Sequence, residues 1–309
     1  QPKAMTILFE QIIKVEKAQS QDRNRSEEER GRIAEAIIGQ HIDMSKTYYA
    51  MPKPIQEQFT NYSEPTIALL NAFVQTTEVK HNEDITAPQD MAQIAGYYQS
   101  LGELNLHLER YDASYEALTE AQIIQMRQVA AYQKKEGSNT MSPQQLLARL
   151  ALSATNHMIA AHYRRQGKNM HDLGIVLRSN MNLAEDCFKF YSHDGRVIHF
   201  IINAALELGD YQHSSRGFLA ECGTYEKVIR EFPKLNNMRF DQQLAVDLAM
   251  IHTKCGSIQA ENAIRRYKDA LRNLETAKNI WKALAENTKN EQFAKNLEIV
   301  QKMISGIKQ

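Results

Sequence analysis

Ten histidines are the first residues in this 309-residue sequence that could do chemistry, because imidazole binds metal ions and transfers protons. His157 and His162 are five residues apart, a spacing that puts them on different faces of a helix, whereas ligands to one metal ion must converge. The histidines around the following turn are also too far apart to converge on one metal ion: His193, His199 and His213. The pattern favours histidines at core edges or in a groove, and we expect no metal and no cofactor.

Three cysteines could act as nucleophiles: Cys187, Cys222 and Cys255. Their odd number and wide spacing do not form a disulfide framework, and no CxxC pair suggests zinc. Cys187 lies in an apolar stretch beside Phe188 and Phe190, where a free cysteine behaves as a small hydrophobic residue. These thiols indicate a reducing compartment, and we expect a cytoplasmic protein, or one in a host cytosol if it is a secreted effector.

Motifs of common enzymes are missing from the sequence. It contains no GxxxxGK[ST], GxGxxG, HExxH or GxSxG. The acidic run at 27–29 falls in the first turn of a predicted helix, where negative charge complements the helix dipole. We therefore expect no catalytic residues and no enzyme, although an unrecognised all-helical enzyme stays open as a third hypothesis.

The charges are balanced, with 37 lysines and arginines against 37 aspartates and glutamates. Binding to nucleic acid or to an anionic membrane would thus need a local patch, and we expect neither partner. No apolar run approaches the roughly 20 residues that span a bilayer. Residues 1–19 form a predicted amphipathic helix rather than a signal peptide, and the lack of an initiator Met suggests a trimmed chain or a segment of a longer one.

Apolar residues recur at three- and four-residue spacing along almost the whole chain, which is typical of helices. Predicted helices start at Ser26, at Ser63 and at the Ser142-Pro143 pair, where side chains or proline suit the first turn. Predicted helix ends are glycines in the left-handed conformation: Gly167, Gly209 and Gly256. Breaks are expected at 50–56, 80–90, 134–143, 192–195 and 233–237, giving about a dozen helices.

Four segments have the pattern of a helix, a turn and a second helix, and one of them is LGELNLHLERYDASYEAL at 101–118. This segment resembles the tetratricopeptide-repeat family, through Tyr98, Leu101, Gly102, Tyr111, Ser114, Leu118 and Ala121. A second match is carried by Gly209, Asp210, Tyr211, Ser214 and Phe218; Tyr163 with Gly167 matches in part, and Cys255 with Gly256 only loosely. The repeats, spaced by 42 and 47 residues, are longer than the family's usual 34. The resemblance covers roughly residues 91–285.

The resemblance implies an all-α fold of antiparallel helical hairpins, stacked as a right-handed solenoid in the manner of tetratricopeptide repeats. We expect residues 1–80 to form an N-terminal helical cap and 81–309 to form the solenoid, as one continuous domain with capping helices at its C-terminal end. In such a stack the first helix of each hairpin lines the concave side. Aligning the first helices predicts a partner-binding groove made by Gln99, His157, Arg164, Arg165, Arg196, His199 and Asn203.

The leading functional hypothesis is a non-catalytic interaction module, a scaffold or adaptor that binds a protein or peptide in this groove. It could be part of a bacterial effector, and the arginine pair at 164–165 suits an acidic partner. The alternative is a regulatory domain that senses a small ligand or peptide for a larger protein. A deep pocket lined by His157, Arg164 and His199 would favour the sensor, and an open groove would favour the scaffold. The sequence leaves the oligomeric state open.

Overall fold

A computed structural model of the chain describes residues 26–56, 61, 63–81, 88–136, 140–167, 169–231, 242–261 and 264–308. Over these residues every regular element is a helix, so the all-α prediction is confirmed. The chain divides into two compact units, an N-terminal unit at 1–137 and a C-terminal unit at 138–309. The helix predicted for residues 1–19 and the break predicted at 233–237 lie outside the described residues.

The described part of the N-terminal unit contains five helices: α1 (Glu27–Ala50), the single-turn α2 (Lys53–Gln56), α3 (Ser63–His81), α4 (Pro88–His107) and α5 (Tyr111–Glu136). The helices α4 and α5 form an extensive hairpin, α3 packs on α4, and α1 packs on both α3 and α4. Their shared core includes Ile38, Leu70 and Leu104, all buried. The prediction for 101–118 is confirmed, because one helix ends at His107 and the next begins at Tyr111.

The described part of the C-terminal unit contains seven helices: α6 (Pro143–Gln166), α7 (Met170–Phe190), α8 (Gly195–Ser214), α9 (Phe218–Glu231), α10 (Gln242–Ala260), α11 (Tyr267–Thr288) and α12 (Glu291–Lys308). Within this unit α6 and α7, α8 and α9, and α10 and α11 form hairpins, and successive hairpins pack on each other. In addition, α8 contacts α10 and α10 contacts α12. We call α6, α8, α10 and α12 the first helices.

Side-chain chemistry fixes several helix ends as predicted. Ser142 caps α6, since its Oγ accepts a hydrogen bond of 3.1 Å from the amide of Gln145. Pro143 follows at the first helical position, where its missing amide proton costs nothing. The same helix ends at Gly167, whose φ of 61° and ψ of 19° are left-handed. The starts predicted after Ser26 and at Ser63 are also observed.

Two of the three predicted end glycines are not helix ends. Gly209 lies inside α8, which continues to Ser214, and Gly256 lies inside α10, which continues to Ala260. Both lack a side chain because a neighbouring helix occupies that space: a Cβ on Gly209 would collide with the ring of Tyr225, and one on Gly256 would lie 2.7 Å from the Cγ of Leu274. They mark close helix packing rather than a turn.

The same arrangement holds the α4–α5 hairpin together. A Cβ on Gly102 would collide with the side chain of Leu118, which is fully buried. Ser114, predicted to allow a close approach, is also buried and donates a hydrogen bond of 2.8 Å from its Oγ to the carbonyl of Gly102. In this hairpin and in α8–α9 the glycine and the large residue that it contacts are sixteen positions apart. The predicted tetratricopeptide-like helical repeat is thereby confirmed.

The boundary expected at residue 80, between a cap and a solenoid, stays a prediction. The helices on its two sides, α3 and α4, pack together within the N-terminal unit. The boundary between the two compact units lies in the region of residue 137, after the long α5 and before the capped start of α6. This region coincides with one of the predicted breaks, 134–143.

Candidate functional site

One face of α8 carries two of the groove residues predicted in the C-terminal unit, His199 and Asn203. His199, Asn203 and Glu207 follow each other at intervals of four, so they lie on one side of the helix, and Asp210 continues the row. Asn203 is exposed, and Glu207 is partly buried. We call the row of these four residues the α8 stripe. The α8 stripe faces a first helix on each side, and it contacts both of them, α6 and α10.

Glu207 binds two of the predicted residues. His157 Nδ1 lies 2.7 Å from Glu207 Oε1, and Arg164 Nη1 lies 3.2 Å from the same oxygen, so one carboxylate holds both side chains of α6. The hydrogen bond from Glu207 raises the pKa of His157. Burial acts to raise the pKa of Glu207, but the hydrogen bond and charge of His157, with the charge of Arg164, lower it overall. The group is an ion-paired bridge between two first helices.

His199 forms the corresponding bridge to α10. Its Nδ1 lies 2.6 Å from Oδ2 of Asp247, a buried carboxylate. The other oxygen of Asp247 accepts a hydrogen bond of 2.9 Å from Gln243. Lys254 adds a second bridge, since its Nζ lies 2.6 Å from Oδ1 of Asp210. These contacts tie α8 to α10 at both ends of the stripe.

The remaining predicted residues do not join this group. Arg196 pairs with Asp194, the residue that caps α8, at 2.7 Å. Arg165 is exposed near the end of α6. Gln99 belongs to the N-terminal unit, where its Oε1 accepts a hydrogen bond of 3.5 Å from Gln125. Whether these residues bind a partner stays a prediction.

An apolar trough begins where the α8 stripe ends. Its volume is about 660 Å³, and its apolar lining comes from three helices: Met250, Ile258, Trp281, Ile299 and Met303. Two of these side chains, Met250 and Ile299, are 39% and 49% exposed although both are large and apolar. Trp281 is almost fully buried, and its Nε1 donates a hydrogen bond of 3.3 Å to the Oγ1 of Thr253. Exposed methionine and isoleucine over a buried indole make a surface that suits an apolar side chain of another molecule.

Charged groups surround the trough, among them Asp210, Lys254 and Glu261. His213 and Glu221 also line it as a pair, with Nδ1 and Oε2 at 2.9 Å. Burial raises the pKa of Glu221, and the hydrogen bond and charge of His213 partly oppose that effect. The trough thus combines an apolar floor with a polar rim, which is the usual anatomy of a recognition surface.

The sequence prediction did not include the trough, because its apolar residues are separated by up to 53 positions and converge only after folding. Met250, Ile258 and Trp281 have the spacing of ordinary helix core residues, and nothing in that spacing distinguishes an exposed position from a buried one. A weak signal existed at Ile299, because three of the four residues one helical turn away, Lys295, Asn296 and Lys302, are charged or polar.

The metal-binding and nucleophilic side chains considered from the sequence do not form a reactive site in the described residues. These residues contain no cluster of three or more histidines, cysteines, aspartates or glutamates that could hold a metal ion. His162 is buried and meets the ring of Tyr163 edge-on, whereas His157 pairs with Glu207. All three cysteines are free and buried, and burial raises the pKa of Cys187 to about 12 and that of Cys222 to about 11. None of the helices in the described ranges is long and apolar enough to cross a membrane.

No protein-family model and no curated protein matches the chain. Among solved structures, it is similar to BtubC (BKLC) from P. vanneervenii, with a TM-score of 0.47 and 17% identity over 80% of this chain and 85% of that one. It is also similar to a circular tandem repeat protein with a novel repeat topology (TM-score 0.39, 13% identity, 99% and 76% covered). A third similar structure is the P58(IPK) TPR domain (TM-score 0.16, 12% identity, 95% and 98% covered). The class of this protein rests on its own hairpins: it is an all-helical protein of tetratricopeptide-like repeats.

Proposed function

We propose that the protein is a non-catalytic interaction module that binds a partner protein or peptide on the first-helix face of its C-terminal unit. This face comprises the α8 stripe, its partners on α6 and α10, and the trough. The observation that carries the proposal is the trough, where partly exposed Ile299 and Met250 line the same hollow as buried Trp281. A group of exposed large apolar side chains that is rimmed by polar residues marks a surface that binds another molecule.

The geometry favours a scaffold or adaptor over a sensor. A sensor was expected to enclose a ligand between His157, Arg164 and His199. Instead, His157 and Arg164 are bound to Glu207, and His199 is bound to Asp247, so these side chains tie helices together. The apolar surface available to a partner lies farther along the face and is bordered by exposed residues. An acidic partner at the arginine pair 164–165, and a role in a bacterial effector, stay predictions.

Affinity capture with matched variants tests the proposal. Ile299→Lys places a charge on the trough, and Ile175→Lys places the same charge on α7 at a residue that is equally exposed, 49% in each case. We expect proteins that co-purify with the wild type to be lost with Ile299→Lys and kept with Ile175→Lys. A charge-reversed variant, Arg164→Glu with Arg165→Glu, tests the part of the face next to α6.

The result that would overturn the proposal is an identical set of captured proteins for the wild type and all variants. Circular dichroism of each variant controls for folding; both isoleucines are half-exposed, so we expect their replacement to leave the helices intact. Equal loss with Ile175→Lys and Ile299→Lys would also count against it, because the binding would then not belong to the trough.

A further inference from the structure

The trough does not end at its apolar floor. A second depression of about 260 Å³ adjoins it and is lined by Ser257, Ala260, Glu261, Leu274, Met303 and Ile307. Three residues line both depressions: Ser257, Glu261 and Met303. The two hollows therefore adjoin as one groove along α10 and α12, and Glu261 lies in the lining of both.

The charges of this groove are unequal. Its lining contains three carboxylates, on Asp210, Glu221 and Glu261, but only one lysine, Lys254. Lys254 is held by Asp210, and His213 is held by Glu221. Once these two pairs are set aside, Glu261 is the charged side chain that remains in the groove lining, and it is exposed.

A carboxylate in the lining of both hollows selects a ligand by its charge and by the distance from that charge to the apolar side chains. Apolar side chains gain from leaving water for the hollows, while a cation gains from facing the carboxylate over a low-dielectric floor. An acidic ligand would meet repulsion at the same point. An uncharged apolar ligand would leave Glu261 partly desolvated without a partner, which is costly.

We propose that this groove binds a basic amphipathic peptide, with two large apolar side chains seated in the two depressions and a lysine or arginine between them facing Glu261. The inference rests on the proposed function and names the chemistry of the partner. Such a segment is the kind that lies in an apolar groove as a helix or an extended strand. Met250 and Met303 let the groove adapt to different apolar side chains, because unbranched thioethers repack easily.

Selection from a displayed library of random short peptides tests the proposed peptide ligand without assuming its sequence. Peptides are selected on the intact wild-type chain and counter-selected on Ile299→Lys, and the same procedure with Ile175→Lys serves as the control. We expect the enriched peptides to combine two large apolar residues with an excess of lysine and arginine. We expect a chosen peptide to bind Glu261→Lys at least about tenfold more weakly than the wild type.

Trp281 reports where such a peptide binds. It is the single tryptophan of the chain, and it lies in the floor of the groove. On titration, a selected peptide that lacks tryptophan should shift the fluorescence emission of Trp281. The Kd from that shift should agree with the Kd from the anisotropy of the labelled peptide.

Several outcomes would overturn the inference. Enriched peptides that are acidic or unbiased in charge, or an unchanged affinity of Glu261→Lys, would refute the basic ligand while leaving the interaction module standing. Failure to enrich any peptide would refute the groove as a peptide site, and the capture experiment with Ile299→Lys would then decide the proposed function separately. If sedimentation showed a dimer of the wild type that Ile299→Lys converts to a monomer, the occupant would be a second copy of this chain.

Discussion

The Nδ1 atom of His157 lies 2.7 Å from Oε1 of Glu207, and this contact joins the first helices of two adjacent hairpins. The hydrogen bond raises the pKa of His157, and the pKa of Glu207 is lowered although burial alone would raise it. Both shifts mean that folding favours the charged pair. The bridge is therefore a contribution to stability that depends on pH.

The sign of that dependence follows from the two shifts. The raised pKa of His157 gives stability that is fully present below its ordinary value of 6.5 and is lost as the pH rises through the folded value. The lowered pKa of Glu207 gives stability that is present above its ordinary value of 4.5 and is lost as the pH falls through the folded value. The bridge contributes most to stability between pH 4.5 and pH 6.5.

We predict that His157→Gln lowers the free energy of unfolding in this window by less than about 1 kcal/mol, because His157 is 61% exposed and water screens the pair. The difference from the wild type should vanish at about pH 9. Urea unfolding followed by Trp281 fluorescence measures both values, and His171→Gln on the exposed start of α7 is the control. A larger effect at pH 9 than in the window would contradict the prediction.

Gly209 and Gly223 offer a matched pair within one hairpin. A Cβ on Gly209 would collide with Tyr225, which is fully buried, whereas a Cβ on Gly223 would meet nothing within 4 Å. We predict that Gly209→Ala destabilises the C-terminal unit by about 1–3 kcal/mol through overpacking. Gly223→Ala should instead stabilise it by about 0.5–1 kcal/mol, because alanine restricts the unfolded backbone. Urea midpoints of the two variants test this, and equal effects would rule out the close-packing explanation.

Thr253 accepts the indole hydrogen bond of Trp281 at 3.3 Å and donates to the carbonyl of Ala249 at 2.7 Å. We predict that Thr253→Val costs about 1–3 kcal/mol of stability, because the buried indole N–H loses this partner. The emission of Trp281 should shift at the same time. Thr276→Val is the control, since Thr276 also donates to the carbonyl four residues earlier, but through a solvent-exposed hydrogen bond. An unchanged emission spectrum in Thr253→Val would exclude this bond as an influence on the indole.

The three thiols should be unreactive in the folded protein. Burial raises the pKa of each, that of Cys222 with help from the carboxylate of Glu226, so the thiolate fraction at neutral pH is very small. We predict that a chromogenic disulfide reagent labels none of them rapidly in buffer and all three in guanidinium chloride. Fast labelling of one thiol in the folded state would argue for a reactive cysteine and against the non-catalytic reading.

Much of the fold could be predicted from local pattern. The starts at Ser63 and Ser142 and the left-handed end at Gly167 depend on chemistry within a few residues, and the sequence records such chemistry directly. Gly209 and Gly256 were misassigned because a glycine that ends a helix and one that admits a neighbouring helix look alike in sequence. Only the partner across the hairpin, Tyr225 or Leu274, separates the two roles.

The candidate site was predictable in part. The helical period places His199 and Asn203 on one face of α8, and the alignment of hairpins placed His157 near that face. The pairing with Glu207 and Asp247 was not foreseen, because it requires the distance between helices. Predicting the trough would require the packing of three helices, since its floor combines side chains from α10, α11 and α12. No local sequence pattern encodes the relative positions of these helices.

The contact between Gly209 and Tyr225 also constrains how this sequence can change over time. The space at position 209 and the size of the ring at position 225 are complementary, so a side chain gained at the first is tolerated only with a smaller residue at the second. Homologues should accordingly vary these two positions together, with the summed volume held nearly constant, and the same compensation should appear between positions 102 and 118.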